Sequence, residues 1–549
     1  MIRQALALDI LICPLAGKLF TFHATNFSLC MSLRILWADD EIDLLKPQLL
    51  FLEKKGHEVT TVTNAHDALE EAQEHSYFDV VFLDENMPGK SGLDILPEIK
   101  AARPNVPVVM ITKSEEENIM EEAIGGQIAD YLIKPVKPTQ ILLTLKKLTE
   151  GKELVRSATA SQYQQQFREL LMEINSGPDH SEWVDIYKKI IAWELRLDSS
   201  RAEGMADILA MQKQEANGEF SKYVVKNYLD WMNAPADERP TFSHELMRQK
   251  VLPYLSDERP TVMVLFDNLR YDQWRMLQPI ISELYTIEEE DYFYSILPTS
   301  TQYSRNAIFS GMMPAQIAKT FPDKWLNDNE KGGKNMHEGF FLSQQLKRVV
   351  RKEVKHSYTK ITQIAKARDF EEKALDVLNN DLSVVVYNFI DMLSHARTEM
   401  EVLKELAGDE SAYRSLTRSW FMHSPIYSAM KKWAERDVQV IVTTDHGTIR
   451  VNSPSKVVGD RETTTNLRYK LGRNLTYDKK DVLEIRKPED AGLPRPNVSS
   501  SYIFAKEDKF FLYPNNYNHY HNYYKNTFQH GGISLEEVVC PVVRLRSRG

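Results

Sequence analysis

Residues 80–89 read Val-Val-Phe-Leu-Asp-Glu-Asn-Met-Pro-Gly. Four apolar residues end on an acid, and a Pro-Gly turn comes soon after. A run of this length between breakers is a strand rather than a helix. Similar runs lie at 34–38, 58–63, 106–111 and 129–133, with helical periodicity over 65–75 and 91–102 between them. Five strand–helix repeats in succession predict an α/β domain with a doubly wound parallel sheet. In that architecture ligands bind beyond the carboxyl ends of the strands, at the topological switch point.

Chemistry gathers at those strand ends. Asp39 and Asp40 end the first strand and Asp84 the third, while Thr112 ends the fourth and Lys134-Pro135 the fifth. Three converging carboxylates suit a hard cation such as Mg²⁺. One of them can act as a nucleophile toward a phosphoryl group, with Lys134 and Thr112 to hold its oxygens. A single acidic strand end is ordinary solvated surface; five positions in order are not. The set Asp39-Asp40, Asp84-Glu-Asn-Met-Pro-Gly, Thr112 and Lys134-Pro135 resembles the receiver domain of two-component response regulators over 31–150. That resemblance implies a flavodoxin-like fold and phosphorylation of Asp84 by a cognate histidine kinase. It also implies Mg²⁺ contacts from Asp39, Asp40, Asp84 and the Asn86 carbonyl, and a Thr112–Tyr131 switch pair.

Outside this segment the composition is that of a folded, multi-domain protein. The chain has 549 residues, 42% of them hydrophobic and 27% charged, which excludes disorder and low-complexity repeats as its main character. Three cysteines exclude a disulfide scaffold and point to a reducing compartment. The net charge of −10 argues against a broadly nucleic-acid-binding or anionic-membrane-binding surface. That surplus is local: residues 31–150 hold 22 acidic and 12 basic side chains, and 151–549 are near neutral with 55 and 54. No apolar run approaches the ~20 residues of a membrane span, so no membrane insertion is expected. Residues 1–30 carry Cys13 and Cys30 but no strand–helix pattern, and Asp9 and Lys18 interrupt their apolar stretch. They read as an upstream extension ahead of Met31, with a weak export signal as the alternative.

Residues 151–255 are helical in pattern. Trp183, Ile186, Tyr187, Ile190 and Ile191 fall on one stripe, and 164–175 and 206–231 behave similarly. Gly-Pro at 177–178 and Asn-Ala-Pro at 233–235 punctuate them. A helical-bundle linker, with dimerisation as one role it could serve, fits better than a helix-turn-helix, because no compact basic recognition helix is visible.

From 256 the α/β pattern returns. Apolar runs at 261–266, 383–390 and 438–444 are each followed by an acid: Asp267, Asp391 and Asp445. Histidines stand beside them in Asp391-Met-Leu-Ser-His395 and Asp445-His446-Gly447, and a third opens His530-Gly-Gly. Mixed Asp and His ligands suit Zn²⁺, and also Mn²⁺, and their number argues for two metals. Leu297-Pro-Thr-Ser-Thr301-Gln-Tyr-Ser-Arg305 is a hydroxyl-rich entry to a helix, whose N-terminus welcomes an anion. Metal coordination would make one hydroxyl a nucleophile; simple helix capping is the bland alternative.

The order Asp, Pro-Thr-x-Thr, Asp-x-x-x-His, Asp-His-Gly and a distal His resembles the alkaline phosphatase superfamily over roughly 255–549. It is most similar to the PglZ branch, through Asp267-Asn-Leu-Arg-Tyr, Thr299-Ser-Thr-Gln-Tyr and His530-Gly-Gly. The resemblance implies Thr301 as nucleophile, one zinc held by Asp391, His395 and His530, and the other by Asp267, Asp445 and His446 with Thr301. The Cys-x-Pro-x-Arg-like motif of sulfatases is missing here, which disfavours sulfate esters. Arg270 and Arg305 are the candidates to meet substrate oxygens. The Pro-Thr-x-Thr spacing, similar to that of nucleotide pyrophosphatase/phosphodiesterases, favours phosphodiesters of nucleotides or short linear or cyclic oligonucleotides. The aromatic stretch 513–524 reads first as an ordinary loop and second as a base-stacking surface.

A receiver joined to a PglZ domain resembles the PorX-like response regulators of Bacteroidetes type IX secretion. This second resemblance implies a cytoplasmic protein, a histidine kinase partner, a sigma factor or secretion-machinery partner, and an oligonucleotide-directed phosphodiesterase activity. A phosphorylation-dependent homodimer is expected as well. The alternative expectation is a C-terminal domain that serves mainly as a protein-interaction module.

Overall fold

In a computed structural model of the chain, the described residues are 33–75, 77–113, 128–138, 140–141, 144–145, 148, 162–163, 166–200, 205–256, 258–399 and 409–548, with side chains omitted for 200 and 395–399. Residues 1–30 lie outside them. The chain divides into two compact units, 1–155 and 156–549.

The first unit begins with β1 (Arg34–Ala38), α1 (Lys46–Lys54), β2 (Glu58–Val62), α2 (Ala65–Glu74), β3 (Val80–Asp84), α3 (Gly92–Ala102), β4 (Val108–Thr112) and β5 (Asp130–Ile133). Its five strands are all parallel in the order β2-β1-β3-β4-β5. Strands β3 and β4 are buried throughout, as a parallel sheet covered on both faces requires. The fourth strand starts at Val108 rather than at 106, since Pro107 has no N–H to give the ladder. That leaves Thr112 as its last residue. Helix α3 starts with a capping box, Ser91 and Asp94 bonding each other's backbone N–H groups. Its first residue has to be Gly92, where a Cβ would sit 2.2 Å from the Asp84 carbonyl oxygen.

After helical residues at 166–175, the second unit carries two long helices, α4 (His180–Ser200) and α5 (Met205–Trp231). They share one continuous hydrophobic core with the α/β elements that come after them. Trp183 packs edge-on to Phe220, Phe220 to Tyr294, and Tyr187 lies 5.7 Å from the Tyr271 ring. The helical segment is thus packed as part of the C-terminal body, not as a bundle with a separate core.

Those α/β elements are β6 (Thr261–Phe266), α6 (Tyr271–Ser282), β7 (Tyr285–Tyr294), α7 (Thr301–Ser310), α8 (Glu338–Val349), β8 (His356–Ile361), β9 (Leu382–Tyr387), α9 (Phe389–Glu399), α10 (Glu410–Met422), β10 (Gln439–Thr443) and β11 (Val539–Ser547), with shorter elements between them. Six strands form the central sheet in the order β7-β11-β10-β6-β9-β8. The four strands from β10 to β8 are parallel; β11, which carries the buried Cys540, and β7 close that edge antiparallel. The run expected over 383–390 divides: the strand stops at Tyr387, and Asp391 sits in the first turn of α9. The stretch read as a loop at 513–524 contains a short exposed helix, Tyr517–Tyr524. It buries no residue, which is why no apolar periodicity announces it; rings four apart, such as Tyr520 and Tyr524, stack along its side instead.

Candidate active site

In the receiver-like unit, Asp39 follows β1 and Asp84 closes β3, the two strands between which the strand order reverses. Asp39, Asp40 and Asp84 bring carboxylate oxygens within 4.8 Å of one another. The Lys134 ammonium lies 2.9 Å from both Asp39 and Asp84. Burial pushes the Asp84 carboxyl up to about 6, helped by the Asp39 charge and opposed by Lys134. Thr112 donates its hydroxyl to the Glu85 carboxylate, an acceptor that sequence reasoning does not single out. Asn86 is exposed two residues beyond Asp84, and Tyr131 projects from β5 with 41% of its surface exposed.

In the C-terminal unit, two loops at the carboxyl ends of parallel strands converge with the first turn of α9 and the His530 loop. Asp267 follows β6, and Asp445 and His446 follow β10; all three are fully buried, with ligand atoms within 4.8 Å of one another. Asn268, at φ 67°, turns the chain sharply there, a conformation Asn tolerates better than most residues. Its backbone N–H donates to Asp445 (3.2 Å) and its side-chain amide to Asp391 (3.3 Å). His530 Nε2 lies 4.0 Å from the Asp391 carboxylate, and the His530 ring stacks on His446 at 4.4 Å. His395 lies one turn beyond Asp391 on α9, a spacing that places both on one helix face; its side chain is outside the described residues.

The Thr301 hydroxyl stands at the first position of α7, 3.2 Å from His446 Nε2 and 3.4 Å from Asp267. Simple capping does not account for this loop. Ser300, the capping residue, makes no side-chain capping bond, and Thr299 bonds across to the Gly532 carbonyl and Gly531 N–H. Both histidines are oriented by the backbone. His446 Nδ1 lies 3.1 Å from the Gly447 carbonyl and His530 Nδ1 3.2 Å from that of Thr299, which leaves each Nε2 lone pair toward the site.

A metal cation suits Asp267, Asp445 and His446. One carboxylate oxygen of Asp445 is buried and accepts no hydrogen bond, with His446 at 3.7 Å and Arg305 at 3.9 Å. Burial and the Asp267 charge push the Asp445 carboxyl up to about 6. A bound cation removes both penalties, and the Asp/His donor set with oriented imidazoles is the chemistry zinc takes.

The two arginines expected to meet substrate are placed otherwise. Arg270 is buried, bonded to Asp272 and Glu410 and stacked over Phe528, which corrects the expectation that it contacts substrate. Arg305 reaches the site from beneath, at 2.5 Å from Asp267 and bonded to Glu338, with its charge directed at carboxylates rather than outward. Glu338, buried and also bonded to Tyr358 and Lys360, has no sequence signal: it opens an ordinary amphipathic helix.

Comparison with known proteins follows this division. The family model of the response regulator receiver domain matches 35–146, that of the PorX response regulator linker domain 153–232, and that of the BREX system PglZ alkaline phosphatase-like domain 246–545. The chain is 34% identical over 121 residues to the alginate biosynthesis transcriptional regulatory protein AlgB of Pseudomonas syringae pv. tomato, which covers 22% of this chain and 27% of that protein. It is 28% identical over 115 residues to the transcriptional regulatory protein ResD of Bacillus subtilis, covering 21% and 47%. The chain therefore spans less than half the length of these curated relatives. A response regulator receiver structure from Clostridium thermocellum aligns at 32% identity and TM-score 0.21, covering 22% of this chain and 98% of that one. A CheY-like receiver from Methanospirillum hungatei aligns at 26% and 0.21, with 22% and 98% covered. Such a receiver implies a histidine kinase partner, and among the described residues no helix is long and apolar enough to cross a membrane. With more than half of its length matched by one family model, the chain belongs to the PglZ family of alkaline phosphatase-like domains, here carried behind a response-regulator receiver and a PorX-type linker.

Proposed function

We propose that phosphorylation of Asp84 controls a zinc-dependent phosphodiesterase centred on Thr301, which acts on nucleotides or short linear or cyclic oligonucleotides. The observation that carries this reading is the Thr301 hydroxyl, held between His446 and Asp267 beside an Asp445 oxygen that accepts no hydrogen bond. Zinc, when bound by Asp267, Asp445 and His446 and by Asp391, His395 and His530, would supply positive charge that acidifies this hydroxyl and offsets charge on the phosphoryl oxygens. Thr301 Oγ then forms a bond to phosphorus while the bond to the leaving alkoxide breaks. Water next displaces Thr301 from phosphorus, which releases a monoester and restores the hydroxyl. The N-terminus of α7 adds its partial positive charge beneath the phosphate.

Diesters fit better than monoesters because Arg270 and Arg305 are both neutralised by carboxylates, leaving neither guanidinium to balance a second phosphoryl charge. In the receiver, Asp39, Asp40, Asp84 and Asn86 hold Mg²⁺, while Thr112, Tyr131 and Lys134 read the phosphorylated state and drive a homodimer. The setting is cytoplasmic regulation of type IX secretion, through a histidine kinase and a sigma factor or secretion component. The test is turnover of bis-p-nitrophenyl phosphate against p-nitrophenyl phosphate by the zinc-loaded chain. Diester turnover that disappears in Thr301→Ala supports the reading. No diester turnover, or turnover unchanged in that variant, overturns it and favours the protein-interaction role.

A further inference from the structure

The loop carrying His530 is fastened by the helical linker. Helix α5 presents Lys213, largely buried, 3.1 Å from Glu536 and 3.4 Å from Glu194 of α4. One turn on, Asn217 donates to the other Glu536 oxygen at 3.0 Å and accepts the Leu535 backbone N–H at 2.8 Å. One further turn on, the Ser221 hydroxyl bonds the Ile533 carbonyl at 3.3 Å. Three residues on a single face of one linker helix thus hold the backbone and side chains of 533–536, immediately after the His530-Gly-Gly segment. That stretch in turn abuts the other histidine loop. The Gly447 N–H donates to the Glu537 carbonyl, and a Cβ on Gly447 would lie 2.1 Å from the Glu536 carbonyl oxygen.

We propose that Lys213 and Asn217 are positioning residues for the metal centre, so that the linker is a working part of the active site rather than a spacer. The proposal rests on the zinc-enzyme reading of that site. The linker touches neither substrate nor metal; it fixes where the 530–537 loop lies against Asp445-His446-Gly447, and hence where His530 Nε2 stands relative to Asp391. Each tie is charged or buried, so none can be exchanged for water without cost. A ligand displaced by about 1 Å costs on the order of 10²-fold in rate.

The full-length, zinc-loaded chain and its Lys213→Met, Lys213→Arg and Asn217→Ala variants test this by two readouts: diester kinetics, and the rate at which a chelator removes zinc. The expected result for Lys213→Met is kcat lowered at least about tenfold with KM within twofold, faster zinc release, and recovery of both in Lys213→Arg. Asn217→Ala, which strands no buried charge, carries the test where Lys213→Met does not fold. A folded variant with lower thermal stability but unchanged kcat and zinc release overturns the proposal and makes these contacts mere adhesive. A wild-type chain that binds zinc yet turns over no diester sinks the enzyme reading alone; zinc release then decides the positioning role by itself.

Discussion

The Thr301 hydroxyl lies 3.2 Å from Nε2 of His446, a nitrogen freed to face it because Nδ1 is engaged by the Gly447 carbonyl. If this hydroxyl is the attacking group, Thr301→Ala should lower diester turnover by about 10³-fold or more while leaving zinc content intact. Metal analysis beside the kinetics separates loss of the nucleophile from loss of the site.

Arg305 balances a cluster of buried carboxylates: Asp267 at 2.5 Å, Asp445 at 3.9 Å, and Glu338 in direct contact. Arg305→Met leaves them uncompensated, and should destabilise the metal-free chain by about 3–5 kcal/mol. Zinc should recover part of that loss, so the gap in Tm between variant and wild type narrows when zinc is added. An equal gap with and without zinc would place the arginine's role outside the metal centre.

Gly447 is required by close approach. Gly447→Ala forces a Cβ against the Glu536 carbonyl, a backbone atom that cannot swing aside. The expected cost is about 1–3 kcal/mol in denaturant unfolding, together with faster zinc release, since His446 is the preceding residue.

Lys470 is buried, and its ammonium meets the Thr464 carbonyl and the face of Tyr513, neither of them a counter-charge. Burial pushes its pKa down to about 7, against about 10.4 in an unfolded chain. Between those values the unfolded chain binds more protons, so stability rises as pH climbs from about 7 to about 10, and the penalty is fully present below 7. Lys470→Met should therefore raise Tm at pH 6–7 and flatten this part of the pH profile, a comparison that thermal unfolding across pH makes directly.

In the receiver, beryllofluoride should mimic the phosphoryl group on Asp84 and draw Thr112 away from Glu85. Light scattering should record a rise toward twice the monomer mass, and Asp84→Ala should abolish it.

The receiver is almost wholly legible in the sequence, because its chemistry sits at strand ends in an order that periodicity exposes. Asp39, Asp84, Thr112 and Lys134 need only strands to be recognised before them. The acids and histidines of the C-terminal site are legible as residue types beside strands, although Asp391 lies within a helix turn rather than at a strand end. The arginines are misjudged from sequence because it gives no view of neighbours: Asp272 and Glu410 engage Arg270, and Glu410 is 140 positions away. Glu338 and the Lys213–Glu536 tie are invisible for the same reason. An amphipathic helix looks alike whether its polar face meets water or a buried ligand loop.

The most direct measurement is acid quench of the zinc-loaded chain during turnover of a diester, followed by peptide mass spectrometry. A phosphoryl or nucleotidyl adduct on Thr301, missing from Thr301→Ala, is the predicted result. Sustained, zinc-dependent turnover with an adduct on another residue, or with none, would contradict it.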